Sequence, residues 1–372
     1  MRVLLVNSVG CFGGAERSLC ELAVALREAG VEAAVAIPDG AASDILRTRG
    51  IPVLRIVPFR LHRPGLNPFR VASDAIAFLR ARRTTARAIR GFEPDIIHAN
   101  GLQAALASIP LVPGRGKNGA PLLMHVRDIR FPPRAMRFAA RRVSCIVAIS
   151  RAVEDRLREI LPRCLHGKVR RIQNAIDERA FAMRRIDRAE ARRRLALPSG
   201  AVVIGMMSHF APWKRHDRFV DMAREILAGG MGDAAFPGRD RIHFAIAGAD
   251  IAGDNPGVSR ALRGAASDPA LAGRLHLLGD VDGACFLSAI DLLVHPATGE
   301  PFGRVIAEAK AFGLPIVAVD SAGPAEQLAG YARGWLVPDA ADVPRALAAA
   351  AVSVLISGST GGDLHVELAR CR

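Results

Sequence analysis

Aromatic residues make up only 5% of this 372-residue chain, with two Trp and one Tyr. A core must therefore be packed from aliphatic side chains and alanine, which the 50% hydrophobic content supplies. The scarcity also argues against a surface that stacks nucleic-acid bases, and no RNA- or DNA-binding motif is present. The six cysteines, Cys11, Cys20, Cys145, Cys164, Cys285 and Cys371, are scattered, with no Cys-x-x-Cys pair. That argues against a zinc site or a disulfide framework and favours buried or incidental thiols. No apolar run approaches the roughly 20 residues that cross a bilayer; "ALAAAAVSVLIS" (346–357) falls far short. The start, "MRVLLVNSVGCFGG", is apolar only over Val3–Val6, whereas a secretory core needs about 7–15 residues. It reads as a first buried strand, and the protein is expected to be cytoplasmic.

Charge is present in excess and unevenly placed. The formal net charge is +15. Residues 60–92 hold eight Arg against one Asp, and residues 130–194 hold nineteen Lys/Arg against seven Asp/Glu. These windows carry +19 together, so the remainder sums to −4. A basic field in the first half attracts nucleic acid, anionic lipid or a phosphorylated substrate, or is simply a set of solvated helix faces. "AIAFLRARRTTARAIRGF" (75–92) aligns Arg80, Arg83, Arg87 and Arg90 on one helix face, and "RAMRFAARR" (134–142) does so with Arg134, Arg137 and Arg141.

Short apolar runs alternate with helix-like stretches. "RVLLVNS" (2–8), "VEAAVAI" (31–37), "PDIIHAN" (94–100) and "SCIVAIS" (144–150) read as strands, and "AERSLCELAVALREAG" (15–30) as a helix with a terminal Gly cap. A boundary falls near "VRRIQNAIDERAF" (169–181), followed by the basic helix "DRAEARRRLAL". The pattern restarts with "AVVIGMMS" (201–208) and continues through "RIHFAIAG", "RLHLLG", "IDLLVHP" and "LPIVAVD". A Gly-rich loop is expected at 229–241 and another long excursion at 249–269. This alternation predicts two doubly wound α/β domains, residues 1–173 and 174–372, with the active site in the cleft between them.

"EPFGRVIAEAKAFGLPIVA" (300–318) holds two carboxylates, Glu300 and Glu308. They could be a pair that cleaves a glycosidic bond, a clamp for a sugar nucleotide, or ordinary surface charges. Pro301 suits a first helical turn, which puts Glu300 just before a helix and Glu308 on its second or third turn. Eight helical residues span roughly 12 Å, but cleaving pairs sit about 5–9.5 Å apart. A clamp fits better, with a helix N-terminus at Gly303 able to meet a phosphate.

The same stretch resembles the E-x7-E signature of the family 4 retaining glycosyltransferases, of the GT-B fold. Six further segments resemble that family in order: "GGAER" (13–17), "PDIIHANG", "LLMHVRD" (122–128), "AISRAVEDRL" (148–157), "IQNAID" (172–177) and "SHFAPWKRHDRFVDMA" (208–223). The likeness covers roughly residues 1–345. It implies two Rossmann-like domains facing each other across a cleft, a UDP- or GDP-sugar donor and a hydroxyl-bearing glycan or lipid-linked acceptor. It implies no metal and no further cofactor. By that resemblance Glu308 would accept bonds from the ribose hydroxyls, and Glu300 would hold hydroxyls of the transferred sugar. Amides around Phe302, Gly303 and Arg304 would face the sugar and phosphates, and Lys214 would neutralise the diphosphate. His125 would lie beside the sugar at the transfer point, making His125, Glu300 and Lys214 the catalytic candidates. Gly13 and Gly14 would let a loop approach the donor.

Three features depart from the family pattern. His209 stands where the donor-binding motif usually has Arg, and a histidine is only partly charged near neutrality. Arg215, a candidate replacement cation, stands where Gly is common. The tail "GSTGGDLHVELARCR" is short and Gly-rich. These departures keep open a catalytically weakened binding subunit, beside a sugar-nucleotide epimerase of the same fold. "DVD" (280–282) matches a metal-binding Asp-x-Asp but reads as a turn. Relatives acting on lipid-linked acceptors make an anionic membrane surface a candidate partner for the arginine helices.

Overall fold

A computed structural model describes residues 1–59, 68–109, 119–229, 239–251, 253 and 255–356, with backbone alone for 68–72. The C-terminal tail, Cys371 and most of the 229–241 loop lie outside the described residues. The chain divides into two compact units, Met1–Asn174 and Ala175–Arg372.

The first unit is built on seven parallel strands: β1 (Arg2–Val6), β2 (Glu32–Ile37), β3 (Val53–Arg55), β4 (Ile96–Ala99), β5 (Leu122–Val126), β6 (Cys145–Ala148) and β7 (Val169–Arg171). Their spatial order is β3-β2-β1-β4-β5-β6-β7. Leu4 pairs with Ala34 on one side and Ile97 on the other. β1 and β2 are near-continuous apolar runs because a parallel sheet is covered on both faces. The helix Gly14–Glu28 ends as its sequence indicates. Gly30 adopts φ +76, its amide bonds the Arg27 carbonyl, and Val31 reaches back to the Leu26 carbonyl. This is a Schellman closure, which needs a residue tolerant of the left-handed region. Ser150 caps the helix Arg151–Ile160 by accepting from the Val153 amide at 3.2 Å.

The second unit has six parallel strands: β8 (Val202–Met207), β9 (Ile242–Ala247), β10 (Leu275–Gly279), β11 (Leu292–His295), β12 (Ile316–Asp320) and β13 (Gly334–Pro338), in the order β10-β9-β8-β11-β12-β13. Side chains alternate between faces with the strand period of two. Ile204, Met206, Phe244, Val294 and Val317 join one core with Phe219, Met222 and Leu347. Val203, Ala245, Leu293 and Ile316 join the other with Phe286, Ile306 and Phe312. The apolar 346–357 run largely coincides with the helix Val343–Ile356, buried in the first of these cores. Among the described residues no helix is long and apolar enough to cross a membrane.

β3, β7 and β13 lie where the sequence pattern indicates no strand. All three are edges. Two have only three residues, and β13 is bounded by Gly and Pro. The expectation that Pro301 opens a helix is corrected. That helix is Arg304–Ala311, capped by Gly303 at φ +85. Glu300 instead forms a bridge to Ala322, and its carbonyl accepts from the Gly323 amide at 2.8 Å, which holds the preceding chain extended. Glu308 falls on the second turn of the helix. "DVD" is structural: Asp282 caps the helix Gly283–Ala289, accepting from Cys285 at 2.9 Å, and pairs with Arg184 at 2.5 Å.

Arg192 locks the basic helix Arg188–Arg194 onto β11. It is buried and bonds the Ala289 and Ser199 carbonyls at 2.9 and 2.8 Å and the Asp291 carboxylate at 2.6 Å. Asp291 also accepts the Val203 amide at 2.7 Å, so one ion pair ties helix, strand β8 and strand β11 together. Arg192→Met is expected to lower unfolding stability by about 1–3 kcal/mol, because it leaves the Ala289 and Ser199 carbonyls without their donor while Arg188 still pairs with Asp291 at 2.5 Å. An unchanged urea midpoint would show that the helix is held by its apolar face alone.

Candidate active site

In each sheet the strand order reverses at one place, between β1 and β4 in the first unit and between β8 and β11 in the second. Loops leave in opposite directions at such a point and open a crevice beyond the strand ends. The candidate residues cluster at these two places.

In the second unit the loop after β8 carries Lys214 and the loop after β11 carries Glu300. The Thr298 amide donates to the Trp213 carbonyl at 3.0 Å and staples the two loops. Lys214 Nζ lies 2.5 Å from Glu300 Oε2, with both side chains 9% exposed. His295, the last residue of β11, places Nε2 3.4 Å from the same oxygen. Burial acts to raise the Glu300 pKa, but Lys214 and His295 outweigh it and hold the carboxyl well below its usual range. Burial lowers the His295 pKa. Lys214 also stands 4.2 Å over the Trp213 ring, against which the exposed His209 ring packs edge-on at 5.6 Å.

The loop Glu300–Gly303 is clamped from behind. A side-chain carbon on Gly323 would fall 2.6 Å from the Phe302 Cα, so only glycine admits this approach. Phe302 and Glu308 are buried, and Arg304 Nη2 lies 3.5 Å from Glu308 Oε1 one turn along the helix. Arg304, Phe302, Gly303, Glu300 and Glu308 therefore surround one helix N-terminus, with Lys214 joined to them through Glu300. Arg215 is committed elsewhere: its guanidinium grips Asp217 at 2.7–3.0 Å.

In the first unit Gly13 caps the helix Gly14–Glu28, and its amide donates to Glu16 Oε2 at 3.1 Å. Gly14 is exposed. His125 on β5 packs against His98 on β4 with 3.1 Å between ring nitrogens. Burial, reinforced by Arg127, pushes the His98 pKa down to about 4 and His125 down to about 2, so both rings are neutral near neutral pH. Behind them Asn7, Asn100, Arg127 and Asn174 form a polar chain from the ends of β1, β4 and β5 to the end of the unit.

Comparison with known proteins agrees with this geometry. Residues 12–180 match the model described as Glycosyltransferase Family 4, and residues 201–357 match that described as Glycosyl transferases group 1. The chain belongs to the family 4, group 1 glycosyltransferases. A GDP-mannose-dependent alpha-mannosyltransferase of Mycobacterium tuberculosis is 27% identical over 87% of this chain and 80% of its own. A D-inositol 3-phosphate glycosyltransferase of Geodermatophilus obscurus is 33% identical over 44% of this chain and 36% of its own. Anabaena HepE, solved with UDP-glucose, superimposes with a TM-score of 0.75 at 24% identity, covering 97% of this chain and 92% of its own. The two units are thus the Rossmann-like halves of a glycosyltransferase of the GT-B fold.

The family motif's preference for glycine at position 215 now has a physical reason. Arg215 sits at φ +57, ψ 48, in the left-handed region, between the short turn Pro212–Lys214 and the helix His216–Ala228. A non-glycine residue there costs roughly 1–2 kcal/mol, which the Asp217 pair helps to offset. The sequence reading assigned no part to His295, Trp213, Thr298, His98 or Arg127. Several lie in the stretches already singled out, but nothing in the spacing tells which of their side chains meet.

The Glu300 pair generates a pH-dependent signature. A carboxyl with a depressed folded pKa adds stability above its ordinary value of 4.5, and that stability is lost as pH falls toward the folded pKa. Glu300→Gln is expected to lower stability by about 3–5 kcal/mol near neutrality, since Lys214 is left buried and unpaired. The gap between wild type and variant should narrow as pH drops below 4.5. A gap that is constant with pH in urea titrations would contradict the ionised, paired state.

Proposed function

We propose that this enzyme is a retaining glycosyltransferase that moves a sugar from a UDP- or GDP-sugar to a hydroxyl acceptor in cell-surface glycan, polysaccharide or glycolipid synthesis. The observation that carries the donor reading is the buried Lys214–Glu300 pair beside the helix N-terminus at Gly303, at the switch point of the second sheet. As the donor's glycosidic bond breaks, negative charge grows on the departing diphosphate. Lys214, already fixed by Glu300 and Trp213, offers a cation that need not reorganise. The first-turn amides after Gly303 add donors for the same charge. Glu308, held one turn further along, would accept from the ribose hydroxyls, and Glu300 from hydroxyls of the sugar. His209 lies on the same loop, its ring against Trp213. The GDP-mannose dependence of the mycobacterial relative and the UDP-glucose bound by HepE support a nucleoside diphosphate donor of either base. We expect no metal or other cofactor to be needed, because the charge on the leaving group is met by Lys214 and backbone amides.

The test is a thermal-shift panel of UDP, GDP, ADP and their sugar conjugates in EDTA, on wild type and Glu308→Ala. A ligand at about 100 times its Kd adds about 2.7 kcal/mol of stability. One nucleotide should stabilise wild type and not the variant, and its sugar conjugate should yield a product with the donor's anomeric configuration by proton NMR. No shift with any nucleotide would overturn the reading.

A membrane-facing acceptor is supported by the arginine helices. On Pro68–Phe92 the exposed Ile76 and Leu79 share a stripe with Arg80, Arg83, Arg87 and Arg90, and on Pro133–Arg142 the exposed Phe138 lies among Arg134, Arg137, Arg141 and Arg142. Apolar residues within a basic stripe suit an anionic lipid surface. The protein should float with anionic vesicles and not with neutral ones, and Arg83→Glu with Arg87→Glu should reduce flotation several-fold. Equal recovery with both vesicle types would dismiss the contact.

A further inference from the structure

Two groups converge on one nitrogen of the His125 ring. His98 Nε2 lies 3.1 Å from His125 Nδ1, with the rings edge-to-face at 69°. Arg127 Nη2 lies 3.4 Å from the same Nδ1. A guanidinium can only donate, so Nδ1 must accept. The proton of the neutral ring then belongs on Nε2, and His98 must present its own Nε2–H to the same lone pair. Among the described residues His125 Nε2 has no hydrogen-bond partner although it is buried. Arg127 is itself held in place. It donates to Asn100 Oδ1 and, at 3.3 Å, to Asn174 Oδ1. Asn100 is tied to Asn7 at 2.8 Å and Asn174 to Ser18 at 3.3 Å. A chain of five residues thus aims one guanidinium at one ring nitrogen.

We infer that Arg127 and His98 are positioning residues that fix His125 as the neutral Nε2–H tautomer, so that His125 donates a hydrogen bond to a hydroxyl of the transferred sugar and does not act as a base. The sugar half of this inference rests on the proposed donor; the tautomer half stands on the first unit's geometry alone. The guanidinium works twice. It places positive charge on the Nδ1 side, which polarises the ring and strengthens Nε2–H as a donor. The same charge opposes a second proton, so the ring keeps one role across the working pH range. The charged and titratable groups around the ring are Arg127, His98 and, through Asn7 at 3.4 Å, Glu16.

The experiment is long-range proton–nitrogen NMR on the full chain labelled with 15N-histidine, with His125 assigned by its loss in His125→Asn. From about pH 6 to about pH 8, across which a free imidazole would titrate, His125 should show one protonated Nε2 and one bare Nδ1. Arg127→Met should leave a mixture of tautomers, and Arg127→Lys, which keeps a donor, should restore most of the Nε2–H form. With the nucleotide sugar found by the thermal panel, Arg127→Met should lower kcat by about tenfold or more, as a wrong tautomer does elsewhere, with donor KM changed less than about threefold. A wild-type spectrum with the proton on Nδ1, or a ring that titrates through this range, overturns the inference whether or not the Arg127 variants fold. Tautomers unchanged in Arg127→Met do the same. A clean Nε2–H spectrum with no donor found for the enzyme upholds the tautomer assignment and rejects the sugar reading alone.

Discussion

A carboxylate taken out of water must find a cation or give up its charge. Glu300 is that carboxylate here, and Lys214 keeps it ionised. The pair constrains much of the second unit. It fixes where the loop after β8 ends and where the helix Arg304–Ala311 begins. It needs Gly323 behind it, because any side chain there would meet the Phe302 backbone. It needs His295 at the end of β11 to occupy the remaining room around the same oxygen. The strand order puts both loops at the one crevice the sheet offers, so topology brings the two charges together and burial makes the attraction strong.

The two units use opposite electrostatics at equivalent places. At the switch point of the second sheet, charges are paired and retained. At that of the first, two imidazoles are driven neutral by burial and by Arg127, and the surrounding asparagines satisfy the polar atoms. A fixed cation suits a leaving group that gains negative charge. A neutral ring offers a directed hydrogen bond without the proton chemistry of a free histidine.

The departures from the family motif acquire different meanings in the structure. Arg215 occupies a left-handed backbone position that glycine fills without strain, and its guanidinium is turned to Asp217. It is a local conformational substitution, not a replacement for the cation that His209 lacks. His209 is exposed and packs against Trp213, the ring that also underlies Lys214. His209 is therefore joined to Lys214 through the Trp213 ring.

Strand and helix periodicity indicated most of both parallel sheets, since most central strands are short apolar runs followed by a helical repeat, while β5 entered only through its resemblance to a family motif. Even the alternation of Ile204 and Met206 against Val203 is written in order along one strand. The three-residue edges β3 and β7 were not legible, because so short a strand leaves no pattern, and β13 was masked by the Gly334 and Pro338 that bound it. Resemblance to the family's motifs singled out Lys214, Glu300, Glu308 and His125 as candidates, because those residue types stand in a recognisable order. The helix start was misplaced at Pro301, since local propensity favours a turn there while the bridge to Ala322, distant in sequence, holds the chain extended. Only the tertiary structure decided that Lys214 meets Glu300, that His295 and Trp213 stand beside them, and that Arg127 is aimed at His125. Such contacts join residues from separate strands and depend on strand order. Strand order is set by how whole helices pack across the sheet, and no local stretch of sequence contains it.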